Sequence, residues 1–378
     1  MGIAWPLAAL VAGSAVFCGL TVVAALLYLK DRRRASGGPA PGVGVSILKP
    51  LSGVDDGLER NLRTFFEQNF AEFEVLFAVT RQEDPAARVA AQLQAEYPDV
   101  PSRLLVVGEP AWPNRKVWSL AALTAAARFP LLAMCDSDTA VTPDFLRSLS
   151  AEFADPRLDV TTCPYRAVPG KSLWSALEAI MMNTEFLSGI LVARLLEGMK
   201  FAVGPTIVVR REAIGRIGGW ERLKDYLAED FELGRLAAEA GCGVGLSGYV
   251  IEHHIGASRF RSNAEHRLRW CRSTRRSRPA GYLGQIFTNP TPLALLLWIA
   301  APAWWPLAVA ALAARAAAAL ATAGWVLHDP LCARLFFLIP AADLASFLFW
   351  VAGFFGGTIA WRGHRYLLRR DGTFERIE

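Results

Sequence analysis

Apolar and polar positions divide the chain into three regimes. Residues 7–29 are almost wholly apolar and, at about 23 residues, long enough to span a bilayer with some tilt. From Val43 onward, short apolar runs alternate with stretches of helical spacing. Runs 45–48, 73–79, 103–107, 131–134, 160–164, 203–210 and 244–251 read as strands, with Lys49-Pro50 breaking the first. Residues 58–69, 86–97, 117–127, 143–153 and 230–240 carry helical periodicity between them. That alternation predicts an α/β fold with a doubly wound, mostly parallel sheet. Residues 172–196 are apolar around much of a helix circumference, fitting either a lipid-facing wall or a helix buried against the sheet.

The third regime is membrane-like again. Residues 293–327 are apolar for roughly 35 positions, too many for one crossing, and are broken by Pro302 and Pro306. They predict an interfacial or re-entrant piece followed by a span ending near Leu327. Residues 335–360 predict another span. Arg315 lies inside the apolar block and should face protein or water. The expected organisation is an anchor (1–34), a Pro/Gly linker (35–42), a catalytic domain (43–285), a C-terminal membrane region (286–361) with two spans plus an interfacial segment, and a tail (362–378).

Composition agrees with membrane segments: 53% of residues are hydrophobic, 20% are charged, and mean hydropathy is +0.27. Lys30, Arg32, Arg33 and Arg34 follow the first apolar run, and Arg362, Arg365, Arg369 and Arg370 follow the last. A signal peptide carries its positive charge ahead of the apolar run, so the first segment reads as a retained anchor. Both basic clusters then predict that the central domain and tail lie on the cytoplasmic side of a three-crossing protein. The net charge of +5 suits an anionic membrane face or substrate. The basic residues border apolar segments and form no aromatic-laced groove, which excludes nucleic acid as a partner. Six scattered cysteines without metal spacing read as buried hydrophobes in a reducing compartment.

Chemistry concentrates in LLAMCDSDTAV (131–141), where a buried strand ends in Asp136 and Asp138. Alternate residues of an extended chain share a face, so both acids can converge on one point beyond a strand's carboxyl end. A divalent cation, Mg²⁺ or Mn²⁺, holding a pyrophosphate would relieve their repulsion; an N-cap beside a surface acid is the bland alternative. Further stations are Asp84 after the second strand, Asn114-Arg115-Lys116, Asp230 in AEDFELG, the pair His253-His254, and His266, Arg269 and Trp270 in HRLRW.

With these stations in place, the sequence resembles the ceramide glucosyltransferase family (glycosyltransferase family 21), whose pattern is three spaced aspartates followed by (Gln/Arg)-x-x-Arg-Trp. SILKPLSGVDD, ED-P, N-x-K, CDS, AED, RW and WRGHRYLLR carry the resemblance along nearly the whole chain. NRKV, DSD, GPTIVVRRE and H-x-L-R-W resemble equally a bacterial, hopanoid-associated branch, and His266 stands where the ceramide enzymes have Gln or Arg. The resemblance implies a GT-A-like fold and inverting transfer of a sugar from a UDP-sugar, UDP-glucose first, to the hydroxyl of a membrane lipid such as ceramide. Hopanoid or diacylglycerol acceptors and UDP-N-acetylglucosamine stay open, and a processive polysaccharide synthase is a more distant alternative.

In that frame Asp136 and Asp138 hold the metal, and Asp84, Lys116, Asp136, His266, Arg269 and Trp270 contact the donor. Trp270 could also wall the acceptor or anchor in the interface. Asp230 is the catalytic base, with Glu229 its rival and first-turn helix stabilisation its bland reading. Asp84 could instead only form a turn, Lys116 be solvated, and His266 serve packing. His253 or His254 could supply a third metal ligand or be structural.

Overall fold

The computed structural model describes residues 2–35, 43–257, 259–361 and 364–377. The expected linker 35–42 lies, apart from Ala35, outside the described residues, as does Arg362.

A seven-stranded sheet forms the centre, in the order β3-β2-β1-β4-β8-β6-β9. β1 (Val45–Pro50), β2 (Phe73–Val79), β3 (Ser102–Val106) and β4 (Leu131–Cys135) are mutually parallel. β8 (Thr206–Arg210) runs antiparallel to both β4 and β6 (Val160–Thr162), and β6 is parallel to β9 (Val244–Leu246). The sheet is therefore mixed. The reason lies in the path: after β6 the chain leaves at the carboxyl edge through β7 (Tyr165–Val168), α6 (Leu173–Met181) and α7 (Leu187–Glu197), and β8 enters from that same edge between β4 and β6, Thr206 beside Cys135. Lys49 and Pro50 belong to β1 and do not break it: both are paired in register with β2, and Lys49 finds polar partners inside the protein.

Strand side chains alternate between two cores. Phe73, Val75, Phe77 and Val79 of β2 face α2 (Leu58–Arg63), α3 (Pro85–Glu96) and α5 (Phe145–Glu152). Leu76 and Ala78 face α4 (Arg115–Ala126), α8 (Arg211–Arg216) and α9 (Glu229–Glu239). Burial on both faces is why these strands read as continuous apolar runs. A second sheet, β5-β10-β7, joins Thr139–Ala140, Ile251–His254 and Tyr165–Val168 at the carboxyl end of β4.

Among the described residues, four helices are long and apolar enough to cross a membrane, and the chain is built as a membrane protein. They are Ala4–Arg33 within α1 (Ala4–Ala35), Leu173–Glu197, Pro302–Val326 and Phe336–Gly353. The sequence reading counted three. The fourth, Leu173–Glu197, comprises α6 (Leu173–Met181), a π-helical turn at Met182–Phe186, and α7 (Leu187–Glu197). Its α7 half packs on α1 and its α6 half on α15 (Ile339–Gly353), so it joins the membrane helices to the catalytic sheet. α10 (Phe260–Ser277), α11 (Pro279–Gly284) and α12 (Pro290–Ala300) lead into α13 (Trp305–Ala319), and α14 (Pro330–Arg334) precedes α15. Trp298, Ile299, Phe336, Phe337 and Leu348 stand more than half exposed along this block, as lipid-facing side chains do.

Arg315 is buried, as expected. Its guanidinium meets Asp343 at 2.7 Å and Thr184 Oγ1 at 2.9 Å, while Thr291 donates to Asp343 at 2.6 Å. Beside it, Glu185 in the π turn accepts from Thr288 and Asn289, each at 3.0 Å, and from Ser346.

The expected tail instead takes part in a folded unit. β11 (Thr358–Trp361), β12 (His364–Leu368) and β13 (Phe374–Arg376) form a third sheet. Its Ile359, Tyr366, Leu368 and Phe374 bury Leu227, and the Phe374 amide donates to the Asp225 carbonyl at 2.9 Å. The alternation of large apolar and basic residues in HRYLLR supplies the period-2 face that drives this packing.

Candidate active site

β4 delivers Asp136 to the carboxyl edge of the sheet, where a buried lysine and a half-buried one meet it. Lys49, fully buried in β1, donates to the Asp136 carbonyl at 2.8 Å and to Thr139 Oγ1 at 3.1 Å, and lies 3.3 Å from the Phe65 ring centroid. Burial pushes its pKa down to about 8, against the pull of Cys135, Asp136 and Asp138. Thr139 Oγ1 also donates to the Asp136 carbonyl at 2.7 Å, fixing the turn between the two aspartates.

Lys116 is the second. Asn114 caps α4 by accepting from the amides of Lys116 and Val117, which sets the first turn and aims Lys116 at the acids. Its Nζ lies 2.7 Å from Asp136 Oδ1 and 2.9 Å from Glu229 Oε1. Burial works against its charge, but Asp136, Glu229 and Asp230 outweigh it and hold Lys116 well above its ordinary range. Asn114 Nδ2 also reaches the Tyr226 carbonyl at 2.8 Å and Glu229 at 3.3 Å, tying α4 to the start of α9.

Asp230 opens α9 beside Glu229. Its Oδ2 stands 3.4 Å from the position a Cβ would take on Gly204, and the next residue, Pro205, accepts the Asp136 amide at 2.9 Å. Asp230 and Asp136 therefore flank the same Gly-Pro step, whose Cα atoms are about 3.8 Å apart. Burial, then Glu229, raises the Asp230 carboxyl to about 6, against Lys116 and the amides of Phe231 and Gly204.

Asp138 faces the second sheet. Its Oδ2 pairs with His253 Nε2 at 3.1 Å, while its Oδ1 is buried with no hydrogen-bond partner. Burial opposes its charge, yet His253, Lys49 and Lys116 bring its pKa to about 2, and Asp138 in turn raises His253. Asp136 is shifted the other way: burial, with Asp138 alongside, outweighs Lys116. Among the described residues no three His, Cys, Asp or Glu side chains group as a complete metal cage. The orphaned oxygen of Asp138 next to Asp136 nevertheless fits Mg²⁺ or Mn²⁺, hard ions that take one or two carboxylates and fill the remaining positions with phosphate and water.

α10 splits its motif between two faces. His266 and Trp270, one turn apart, look toward α6 and the π turn: His266 Nδ1 meets Glu178 Oε1 at 2.7 Å, and Trp270 packs on His266 and Phe186. Burial lowers the His266 pKa against the pull of Glu178. Arg269 stands on the other side, its Cζ 5.7 Å from the Trp361 ring centroid, beside a cavity of about 180 Å³ shared with Glu265, Arg272 and Arg365. Asp84 sits at the end of β2 as the N-cap of α3, accepting from Ala86 at 2.9 Å and from the Gly53 amide at 3.0 Å. It thereby ties the loop after β1 to β2. His254 is bound to Glu252 at 3.0 Å and to Arg60 at 2.9 Å.

The structure thus gathers Lys116, Asp136, Glu229 and Asp230 into one charged cleft with Asp138 and His253 beside it, and sets Arg269 apart from His266 and Trp270. Sequence reasoning passed over Lys49, Arg267 and Tyr165. Arg267 is buried with an unpartnered Nε, and its charge bears on Tyr165, which also feels Asp230 and Asp138. The visible signal for Lys49 was a charge inside an apolar run, and for Arg267 its place in the middle of HRLRW. A cleft holding one carboxyl near neutrality and a cation among fixed acids can take a proton while binding an anionic, metal-bridged ligand.

Comparison with known proteins agrees in kind. The family model for glycosyl transferase family 21 matches residues 9–374. Ceramide glucosyltransferase 1 of Caenorhabditis elegans is 31% identical over 206 residues, 54% of this chain and 44% of the relative. Ceramide glucosyltransferase 3 of the same organism is 26% identical over 229 residues, 60% of this chain and 50% of the relative. The match spans about half the length of these relatives. Among solved structures, the mannosyltransferase PcManGT from Pyrobaculum calidifontis, in complex with GDP-Man and Mn²⁺, aligns with a TM-score of 0.48 at 20% identity, covering 92% of this chain and 99% of that one.

Proposed function

The chain belongs to glycosyl transferase family 21, and from that premise we propose that it moves a sugar from a UDP-sugar, UDP-glucose first, to the hydroxyl of a membrane lipid such as ceramide, giving a β-glycolipid. The observation that carries this reading is the bridge Lys116 makes between Asp136 at 2.7 Å and Glu229 at 2.9 Å, which holds the strand-end acids against the helix that opens with Asp230.

Each residue then has a task. Asp136 and Asp138 hold Mg²⁺ or Mn²⁺, which when bound neutralises the leaving pyrophosphate. Lys116 keeps Asp136 oriented and adds positive charge at the phosphate end of the donor. Asp84 borders the nucleoside from the end of β2. His266 and Trp270 close the cleft from α10, whereas Arg269, expected at the diphosphate, points from the opposite face of that helix toward Trp361 and is assigned no contact with the donor. Asp230, raised to about 6, takes the proton of the lipid hydroxyl as it attacks, with Glu229 committed to Lys116. A single base with in-line attack inverts the anomeric carbon, so an α-linked donor gives a β-linked product. The catalytic domain faces the cytoplasm, where nucleotide sugars are made, and the helices hold the cleft beside the bilayer.

The test is turnover by the purified full chain in lipid nanodiscs supplied with UDP-glucose, Mg²⁺ and ceramide, with UDP release and lipid product followed together. A β-glucosylated lipid formed in step with UDP is expected. No transfer to ceramide, diacylglycerol or a hopanoid alcohol from UDP-glucose or UDP-N-acetylglucosamine overturns the reading.

A further inference from the structure

A groove of about 500 Å³ opens where the end of α1 meets α7 and the free edge of the central sheet. Leu27 of α1, Leu191 and Leu195 of α7, and Leu246 of β9 line it. β9 is the last strand in the order, so it presents an edge rather than a neighbour to this space. At the rim Arg194 is paired with Asp31 at 2.7 Å. The floor is anchored: Tyr28, fully buried, donates to the Ser247 carbonyl at 2.7 Å, pinning α1 to the loop that follows β9. The groove therefore sits at the junction of membrane helix and catalytic domain. Val23 and Leu26, at 49% and 51% exposed, continue its apolar lip up α1 on the lipid side.

Its inner wall, at Met199 and Leu246, packs toward the segment that carries the candidate base. Leu246 packs in two apolar clusters, one with Ala24, Leu187 and Leu191, the other with Phe201, Val203 and Phe231. Phe201 and Phe231 stack with centroids 6.2 Å apart. Phe231 follows Asp230 in the chain, and Val203 precedes the Gly204-Pro205 step that Asp230 and Asp136 share. Ala24, Leu187, Leu191, Phe201 and Val203 are buried and form a packed wall, along which Met199, Leu246 and Phe231 stay partly exposed, so apolar contact is continuous from the groove beside α1 to the residue next to Asp230. That is the profile of a path for a molecule with a hydrocarbon body and one polar end.

We propose that this groove seats a hydrocarbon chain of the lipid acceptor, which enters sideways between α1 and α7 and presents its hydroxyl to Asp230. The proposal rests on the lipid-glycosyltransferase reading above and specifies where that lipid binds. Arg194 and Asp31 mark the level of the polar boundary, and Leu195 and Leu27 contact the chain.

The test pairs labelling of the unaltered protein with two variants. A ceramide carrying a diazirine at its acyl terminus is photolysed with the full chain in nanodiscs, and a phosphatidylcholine carrying the same group serves as the comparison. Labelling of peptides from α7 and β9 that unlabelled ceramide competes away is expected. Leu195→Trp and Leu27→Trp should each lower kcat/KM for a long-chain acceptor by about tenfold while leaving a short-chain acceptor and UDP-sugar binding unchanged. Transfer without labelling at α7 and β9, or equal labelling by phosphatidylcholine that ceramide does not displace, overturns the groove alone. Absence of any transfer by the unaltered protein overturns the functional reading, and this proposal with it.

Discussion

Lys116 Nζ lies 2.7 Å from Asp136 Oδ1, and that contact joins two elements 20 residues apart in sequence at the carboxyl edge of the sheet. Without the cation, Asp136, Glu229 and Asp230 would face one another with nothing between them. Lys116→Met should therefore lower kcat/KM by about 100-fold. Because Lys116 pulls the Asp230 pKa down, the same variant should move the acid limb of the pH profile upward. Steady-state kinetics from pH 5 to 8 check both effects, and an unmoved limb would remove Lys116 from the neighbourhood of the base.

Asp230 is a carboxyl raised to about 6, so its charged, proton-accepting form disappears as pH falls through that value. Turnover should drop on the acid side of about pH 6 in the unaltered protein. The same shift has a sign for stability: a carboxyl whose folded pKa exceeds its unfolded value stabilises the fold when protonated and loses that contribution as pH rises through about 6. Asp230→Asn, which carries no charge to desolvate, should raise Tm at pH 7.5 relative to the unaltered chain and lose the difference below pH 4. Thermal melts across that range measure it.

The unpartnered Oδ1 of Asp138 makes metal dependence a sharp expectation. Exhaustive chelation should abolish turnover, and Mg²⁺ or Mn²⁺ should restore it. Asp138→Asn should raise the metal concentration needed for half-maximal rate by about tenfold or more. A metal titration of both proteins reads this directly, and full turnover after chelation would contradict the assignment.

Arg315 and Asp343 test the membrane core independently of catalysis. Removing one partner leaves a buried charge alone, so Arg315→Leu should destabilise the fold by about 3–5 kcal/mol. The double variant Arg315→Leu/Asp343→Leu should recover much of that loss, because it removes both charges. Unfolding followed in detergent for the two variants checks the ordering.

The strands were legible because burial on both faces leaves an apolar run that periodicity detects, and β2 falls at the expected residues. The direction of β8 was not, since nothing in its composition encodes which end of the sheet the chain re-enters. The acids of the cleft were legible from strand-end position and from resemblance. Their partners were harder to see: Lys49 reads as a strand breaker until Thr139 and the Asp136 carbonyl come within reach of it. Asp84 was expected at the nucleoside, and in the fold its carboxylate caps α3 and holds Gly53, contacts that depend on how two loops meet. Arg269 and Trp270 are adjacent in sequence, yet consecutive helical positions do not share a face, and the two side chains part. The last residues read as a basic tail because the apolar partner they cover, Leu227, is more than a hundred positions away.

The most direct check is mass spectrometry of total lipids from a host expressing the unaltered chain or Asp230→Asn, with UDP-sugar binding measured on both purified proteins. The unaltered chain should produce a new β-hexosyl or N-acetylhexosaminyl lipid, and the variant should bind donor equally while forming less than about one hundredth as much product. The same glycolipid at undiminished yield from Asp230→Asn would contradict the account.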